Sequence, residues 1–205
     1  MSALITHIVL AEKVFEKYFT DMDKREFVVG TCFPDIRYLG VVEREKTHFE
    51  GYKFTDLKNE DSFTAGLKLH SIVDNDMNRR FMKESTLLSF FPSDFDHAHS
   101  AVKILEDVVL YEKVKNWGEI ISYFDMVLDK EIHFGISPEA ISKWHRRLIK
   151  YFGQKPDRVE DIVDIYDRPE DAIEVMEAIG MIKDKGKAVR IIEDYYENFE
   201  KVIIN

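Results

Sequence analysis

Residues 63 to 81 read Phe-Thr-Ala-Gly-Leu-Lys-Leu-His-Ser-Ile-Val-Asp-Asn-Asp-Met-Asn-Arg-Arg-Phe. Steps of four and three pick out Phe63, Leu67, His70, Asp74, Met77 and Phe81, which fall on one face of a helix and predict that this face is turned to a core. Two of the six positions are polar, an imidazole and a carboxylate one turn apart. Burying such a pair is costly unless something compensates, because an isolated buried charge either costs several kcal/mol or is neutralised. One compensation is a hydrogen bond between them or to a neighbouring arginine; another, which uses both side chains, is a metal ion.

Working back from this stretch, residues 4 to 19 carry apolar side chains at most positions and predict a largely buried first helix, with His7 in line with Ala11, Val14 and Tyr18. A second histidine therefore faces inward. After a polar break at 21 to 24, the run Phe27 to Phe33 predicts a short helix that Pro34 ends, leaving Asp35 at the start of an irregular segment. Residues 38 to 61 are weakly patterned and contain His48. A loop that long in a compact domain is more often functional than not.

Working forward, Pro92-Ser93 is a start signal for a helix over 94 to 115 that buries Phe95, Ala98, Val102, Leu105 and Val109. His97 and His99 lie on opposite edges of that arc, so at most one reaches an inner site from a regular helix. Glu106 reads as an exposed partner of Lys103. Further helices are predicted over 118 to 131, 138 to 152 with Ser137 as cap and Pro138 at the first position, 158 to 166, 169 to 179, and 187 to 203. They carry His133 and His145 without a carboxylate on the same stripe, and Trp144, Leu148 and Phe152 read as packing.

The 205 residues suffice for one substantial core, and only 5 Pro and 9 Gly point to long regular elements. The expectation is an all-α, multi-helix bundle around a metal site. It would form one domain over 1-205, with 1-115 as the metal-site core and 116-205 as helices packed on it. A net charge of -10 argues against binding a nucleic-acid backbone. One cysteine, no basic leader and no run of 18 apolar residues lead us to expect a cytoplasmic protein without a transmembrane segment.

His7, Asp35, His48, His70 and Asp74 thus form a set of metal-capable residues within the first 74 positions, to which His97 or His99 could add. Imidazole mixed with carboxylate suits Zn, Mn, Fe or Ni better than Ca or Mg. The order Thr6-His7 to Ala11, Phe27 to Gly30, Pro34-Asp35-Ile36 and Thr47-His48-Phe49 resembles the N-terminal half of the zinc-dependent phospholipase C family over residues 4 to 82. That resemblance implies that Asp35, His48, His70 and Asp74 hold one metal, and that His7 with a bridging Asp74 holds another. The later His-x-x-x-Glu helix of the secreted phospholipases has no counterpart here.

A looser resemblance, through His7 to Ala11, Gly66 to Asp74 and Phe95-Asp96-His97, is to acyl carrier protein phosphodiesterase of the HD-type phosphohydrolases. Both resemblances imply a metal-dependent hydrolase acting on a small-molecule or lipid phosphodiester. Such an enzyme would use one or two ions and a metal-activated water, with Asp35 or Asp74 orienting that water and Arg37 or Arg79 neutralising developing charge. The contrasting expectation is a helical interaction protein that keeps the fold without catalysis.

Overall fold

The computed structural model describes residues 3–77, 87–91, 97–166, 168–182 and 184–204. Among them every regular element is helical, so the chain is all-α. The first half comprises α1 (Leu4–Tyr18), α2 (Lys24–Cys32), α3 (Ser62–Met77) and α4 (Ala98–Leu110). The second comprises α5 (Trp117–Ser122), α6 (Asp129–Ile132), α7 (Pro138–Phe152), α8 (Val159–Ile162), α9 (Pro169–Gly180) and α10 (Lys185–Ile204). No helix among the described residues is long and apolar enough to cross a membrane.

The helix that carries His70 and Asp74 is set by its backbone contact with α2. A Cβ on Gly66 would stand 2.0 Å from the carbonyl oxygen of Phe27, and one on Gly30 would stand 2.2 Å from that of Phe63. Two glycines, one from each helix, therefore let the two backbones touch, and any larger residue would force them apart. Phe63, Leu67, His70 and Met77 are buried on α3 as their spacing predicts. Phe81 lies outside the described residues, as do Arg79 and Arg80.

Pro34 does not begin an irregular segment. The chain continues from α2 as a 3-10 helix over Phe33–Leu39, with Pro34 near its start, where a missing N–H costs least, and it ends at Gly40 in the left-handed region (φ 69°). This turn keeps Asp35 fully buried. The loop beyond it contains two more short 3-10 turns, Arg44–Lys46 and Phe54–Asn59.

The helix expected over 118 to 131 is instead two short ones, α5 and α6. The break is held from outside. Arg25 on α2 donates from Nε to the carbonyl of Tyr123 and from Nη2 to that of Met126, which satisfies acceptors that a continuous helix would use internally. Farther along, α7 has the expected cap, with Ser137 Oγ accepting from the Ala140 N–H. It is tied to the first half by Trp144, which donates to the carbonyl of Cys32, and by Tyr151, whose hydroxyl donates to Asp107.

Candidate metal centre

Asp74 stands at the middle of three imidazoles. Its Oδ1 lies 3.3 Å from Nε2 of His7, and its Oδ2 lies 3.6 Å from Nε2 of His48 and 3.7 Å from Nε2 of His70. Asp35 approaches from the other side, with Oδ1 3.9 Å from Nε2 of His70. The four residues around Asp74 come from α1, the Phe33–Leu39 turn, the loop after Lys46 and α3 itself. All five side chains are buried or nearly so, Asp74 being the most open at 14% exposure.

Each donor is oriented by a neighbour behind it. The Nδ1–H of His70 donates to the carbonyl of Thr31 at 2.9 Å, so a neutral ring must present its lone pair at Nε2, toward the centre. Nδ1 of His48 lies 3.1 Å from Oγ1 of Thr47, whose own proton is directed to the carbonyl of Pro34 or Arg44. That arrangement again leaves Nε2 as the free acceptor. The loop bearing His48 is pinned to α3 by the Phe49 N–H, which donates to Ser71 Oγ.

His7 is positioned through its helix. Ala3 offers no side-chain cap to α1, and the carboxylate of Asp107 supplies one from α4, accepting from both the N–H and the hydroxyl of Thr6 at 2.8 Å. Burial pushes the Asp107 carboxyl up to about 6, even though hydrogen bonds from Tyr151 and Thr6 pull it back. The His7 ring stacks on that of His70, with centroids 4.0 Å apart.

Electrostatics favour a neutral His70 beside an ionised Asp74. Burial, reinforced by the proximity of His7, lowers His70 to about 4. Burial would raise Asp74, but His70, His48 and His7 outweigh it and hold the group well below the usual carboxylate range. Neutral imidazole and carboxylate are the forms that bind a cation.

The donor set fits a metal. Nε2 of His7, of His48 and of His70 are buried and make no hydrogen bond. Two groups have all three donor atoms within 4.8 Å of one another: His7, His70 and Asp74; and Asp35, His48 and His70. Ligands about 2.0–2.2 Å from a tetrahedrally coordinated cation stand roughly 3.3–3.6 Å apart, close to the spacings found around Asp74.

Of the other candidates, His97 precedes α4 and has its Nε2 2.6 Å from Glu174, and His99 is exposed on that helix. The structure does not bring either into the two groups: His97 is held against Glu174 of α9 and His99 is exposed. Glu106, expected as an exposed partner of Lys103, is buried. Residues 92–96 lie outside the described set.

Three features had little or no signal in the sequence. Arg44, from the unpatterned loop, places Nη2 3.6 Å from Oδ2 of Asp74. It also lines a cavity of about 270 Å³ with Glu45, His48, Phe49, Glu50, Ser71 and Asn75, which touches the centre through His48. Arg37, by contrast, is 3.9 Å from Asp35 and stacks on Tyr38. Away from the centre, His145 is not simple packing: its Nε2 lies 2.8 Å from Glu131 and its Nδ1 3.1 Å from the carbonyl of Phe124, all buried. A larger groove of about 630 Å³ meets the first cavity at Asn75 and contains none of the five donors.

Comparison with protein-family models, with curated proteins and with solved structures finds no match to this chain.

Proposed function

We propose that the chain is a metal-dependent phosphodiester hydrolase, resembling zinc-dependent phospholipase C in the arrangement of its donors. The observation that carries this reading is the convergence of three imidazole nitrogens that make no hydrogen bond and two carboxylates on one buried cluster, with Arg44 beside Asp74 and lining a cavity with His48. Asp35, His48, His70 and Asp74 would hold one cation, and His7 would share Asp74 with it. A bound Zn or similar transition metal supplies Lewis acidity and brings a water toward neutral pKa.

The chain's own groups would do the rest. Arg44, partly exposed beside Asp74, would bind a non-bridging phosphoryl oxygen, neutralising charge that grows during attack. Asp35 or Asp74 would orient the attacking water and accept its proton. Thr31 and Thr47 would keep two imidazoles in the tautomer that points a lone pair inward.

The test combines metal content with turnover of an activated phosphodiester such as bis(p-nitrophenyl) phosphate. Wild type reconstituted with Zn or Mn should hydrolyse it. His70→Ala and Asp74→Asn should each lower the rate by orders of magnitude, whereas His133→Ala, at an exposed position, should not. Absence of turnover with any divalent metal, in a protein that still binds metal, would favour a helical interaction protein with a structural ion.

A further inference from the structure

The two groups of three donors have one residue in common. Both contain His70, whose Nδ1–H is committed to the carbonyl of Thr31, so its one lone pair, at Nε2, can serve one cation. Filling both groups at once would need that lone pair twice.

Ring orientation decides which group it serves. An imidazole lone pair lies in the plane of its ring, so two histidines on one ion need planes that meet at the ion, about 2.0–2.1 Å from each nitrogen. The rings of His7 and His70 are stacked, with centroids 4.0 Å apart and planes 16° from parallel. Such planes do not meet within bonding distance, and an ion between the two rings would lie well off both lone pairs. The rings of His48 and His70 instead stand edge to face at 86°, with centroids 5.0 Å apart. Their planes cross, and a point on the line of crossing can face both nitrogens. His70 is therefore paired with His48 and Asp35. Asp74 joins them through Oδ2, 3.6 Å from Nε2 of His48 and 3.7 Å from Nε2 of His70. His7 and Oδ1 of Asp74 remain, 3.3 Å apart, and make two donors where transition-metal sites have three or four.

We infer that the centre takes a single cation, bound by Asp35, His48, His70 and Asp74, and that His7 is a positioning residue outside its coordination shell. The inference rests on the metal-centre reading above and departs from the two-ion arrangement that the resemblance implies. His7 donates from Nε2 to Oδ1 of Asp74 and so aims Oδ2 at the ion, as the partner behind a metal ligand does. The second positive charge beside a bound phosphodiester is then the guanidinium of Arg44, 3.6 Å from Oδ2, rather than a second metal.

The experiment uses the full chain, stripped with chelator and reloaded. Zn is counted by metal mass spectrometry and titrated by calorimetry, and Co(II) reports the ligands around it through its visible absorption. Wild type should hold one ion. His7→Gln, which offers an amide N–H in place of the imidazole one, should hold one with the Co(II) spectrum of wild type and a similar affinity. His7→Leu should also hold one, with affinity lowered by about tenfold or more, as when the partner behind a ligand is lost. His48→Gln should shift the Co(II) spectrum or lose the ion. Two ions in wild type, or a lost ion or shifted spectrum in His7→Gln, would overturn the inference while leaving the metal-centre reading standing. So would an unshifted spectrum in His48→Gln, and equal affinity in His7→Leu and wild type would overturn the positioning role. Should the His7 variants fail to fold, the ion count of wild type and the spectrum of His48→Gln still decide. Wild type holding no ion would remove both the inference and the reading it rests on.

Discussion

His70 donates its Nδ1 proton to the carbonyl of Thr31 across the contact between α3 and α2. That bond, 2.9 Å long, is within reach because Gly30 and Gly66 let the two backbones touch. The packing of the helices and the tautomer of a proposed ligand are therefore one structural fact.

Gly66→Ala tests the link. Its methyl would stand 2.0 Å from the Phe27 carbonyl oxygen, which is backbone and cannot swing away. Overpacking of this kind costs about 1–3 kcal/mol or more. At about 2–4 °C per kcal/mol for a chain this size, the melting temperature should fall by roughly 2–12 °C. Metal affinity should fall with it as Thr31 moves from His70. Gly180→Ala, where nothing lies within 4 Å of the new Cβ, is the control and should be neutral or slightly stabilising. Equal melting of the two variants would show that the contact between α2 and α3 is looser than described.

Arg44 should have opposite effects on metal and on substrate. It is 43% exposed and faces Asp74, so in metal-free protein it competes with the cation for that carboxylate. An exposed pair of this kind contributes up to about 1 kcal/mol, so Arg44→Met should tighten metal binding by roughly two- to fivefold. The same change should raise KM for a phosphodiester by about tenfold or more, since a charge-assisted hydrogen bond to the anion is lost. Calorimetry and steady-state kinetics read the two effects separately. Weakening of both together would mean that Arg44 merely supports the loop.

The pH dependence of metal-free stability should reveal opposing buried groups. His70 has a folded pKa of about 4, below its ordinary 6.5, so the unfolded chain binds the proton first. Stability from this group is complete above pH 6.5 and is lost as pH falls toward 4. Asp107, raised from 3.8 to about 6, acts in the other direction: the folded chain binds its proton first, and stability is gained as pH falls from 6 toward 3.8. Glu106, also raised, adds to Asp107. Wild type should therefore gain less stability between pH 6.5 and 4.5 than His70→Asn, in which the opposing loss from the imidazole is absent. The difference between the two proteins over that range should be about 2–3 kcal/mol, read from urea unfolding. Parallel pH profiles would count against a buried neutral His70.

Much of this arrangement is legible in the order of residues, because a helix repeats its face every three or four positions. The stripe from Phe63 to Met77 and the inward direction of His7 follow from that period alone. Glu106 does not, since Lys103 three residues earlier makes it look like half of a surface pair. What buries it is the packing of α1, α9 and α10 around α4, which leaves that helix little solvent face. Arg44 sits in a segment without periodicity, and no spacing rule places it beside Asp74. Glu131 and His145 lie on separate elements, brought together by the break between α5 and α6 that Arg25 holds from α2. Gly30 and Gly66 carry no pattern until the helices that they join are known.

Asp74 also decides how the protein responds to a chelator. With His70 neutral between Asp74 and Asp35, removing a shared cation leaves two carboxylates in a mostly apolar surrounding. Loss of a partner for a buried charge costs roughly 3 kcal/mol or more. Chelation of metal-loaded wild type should therefore lower Tm by about 6 °C or more at pH 7, which scanning calorimetry can measure directly. Asp74→Leu separates the cation from the fold. It removes a ligand of the proposed cation, so added metal should no longer raise Tm. It also removes the carboxylate that stands across His70 from Asp35, so the metal-free variant should be no less stable than metal-free wild type. A wild type indifferent to chelator, or a leucine variant that still melts lower on chelation by the full amount, would make Asp74 an ordinary polar core residue held by His7, His48 and His70.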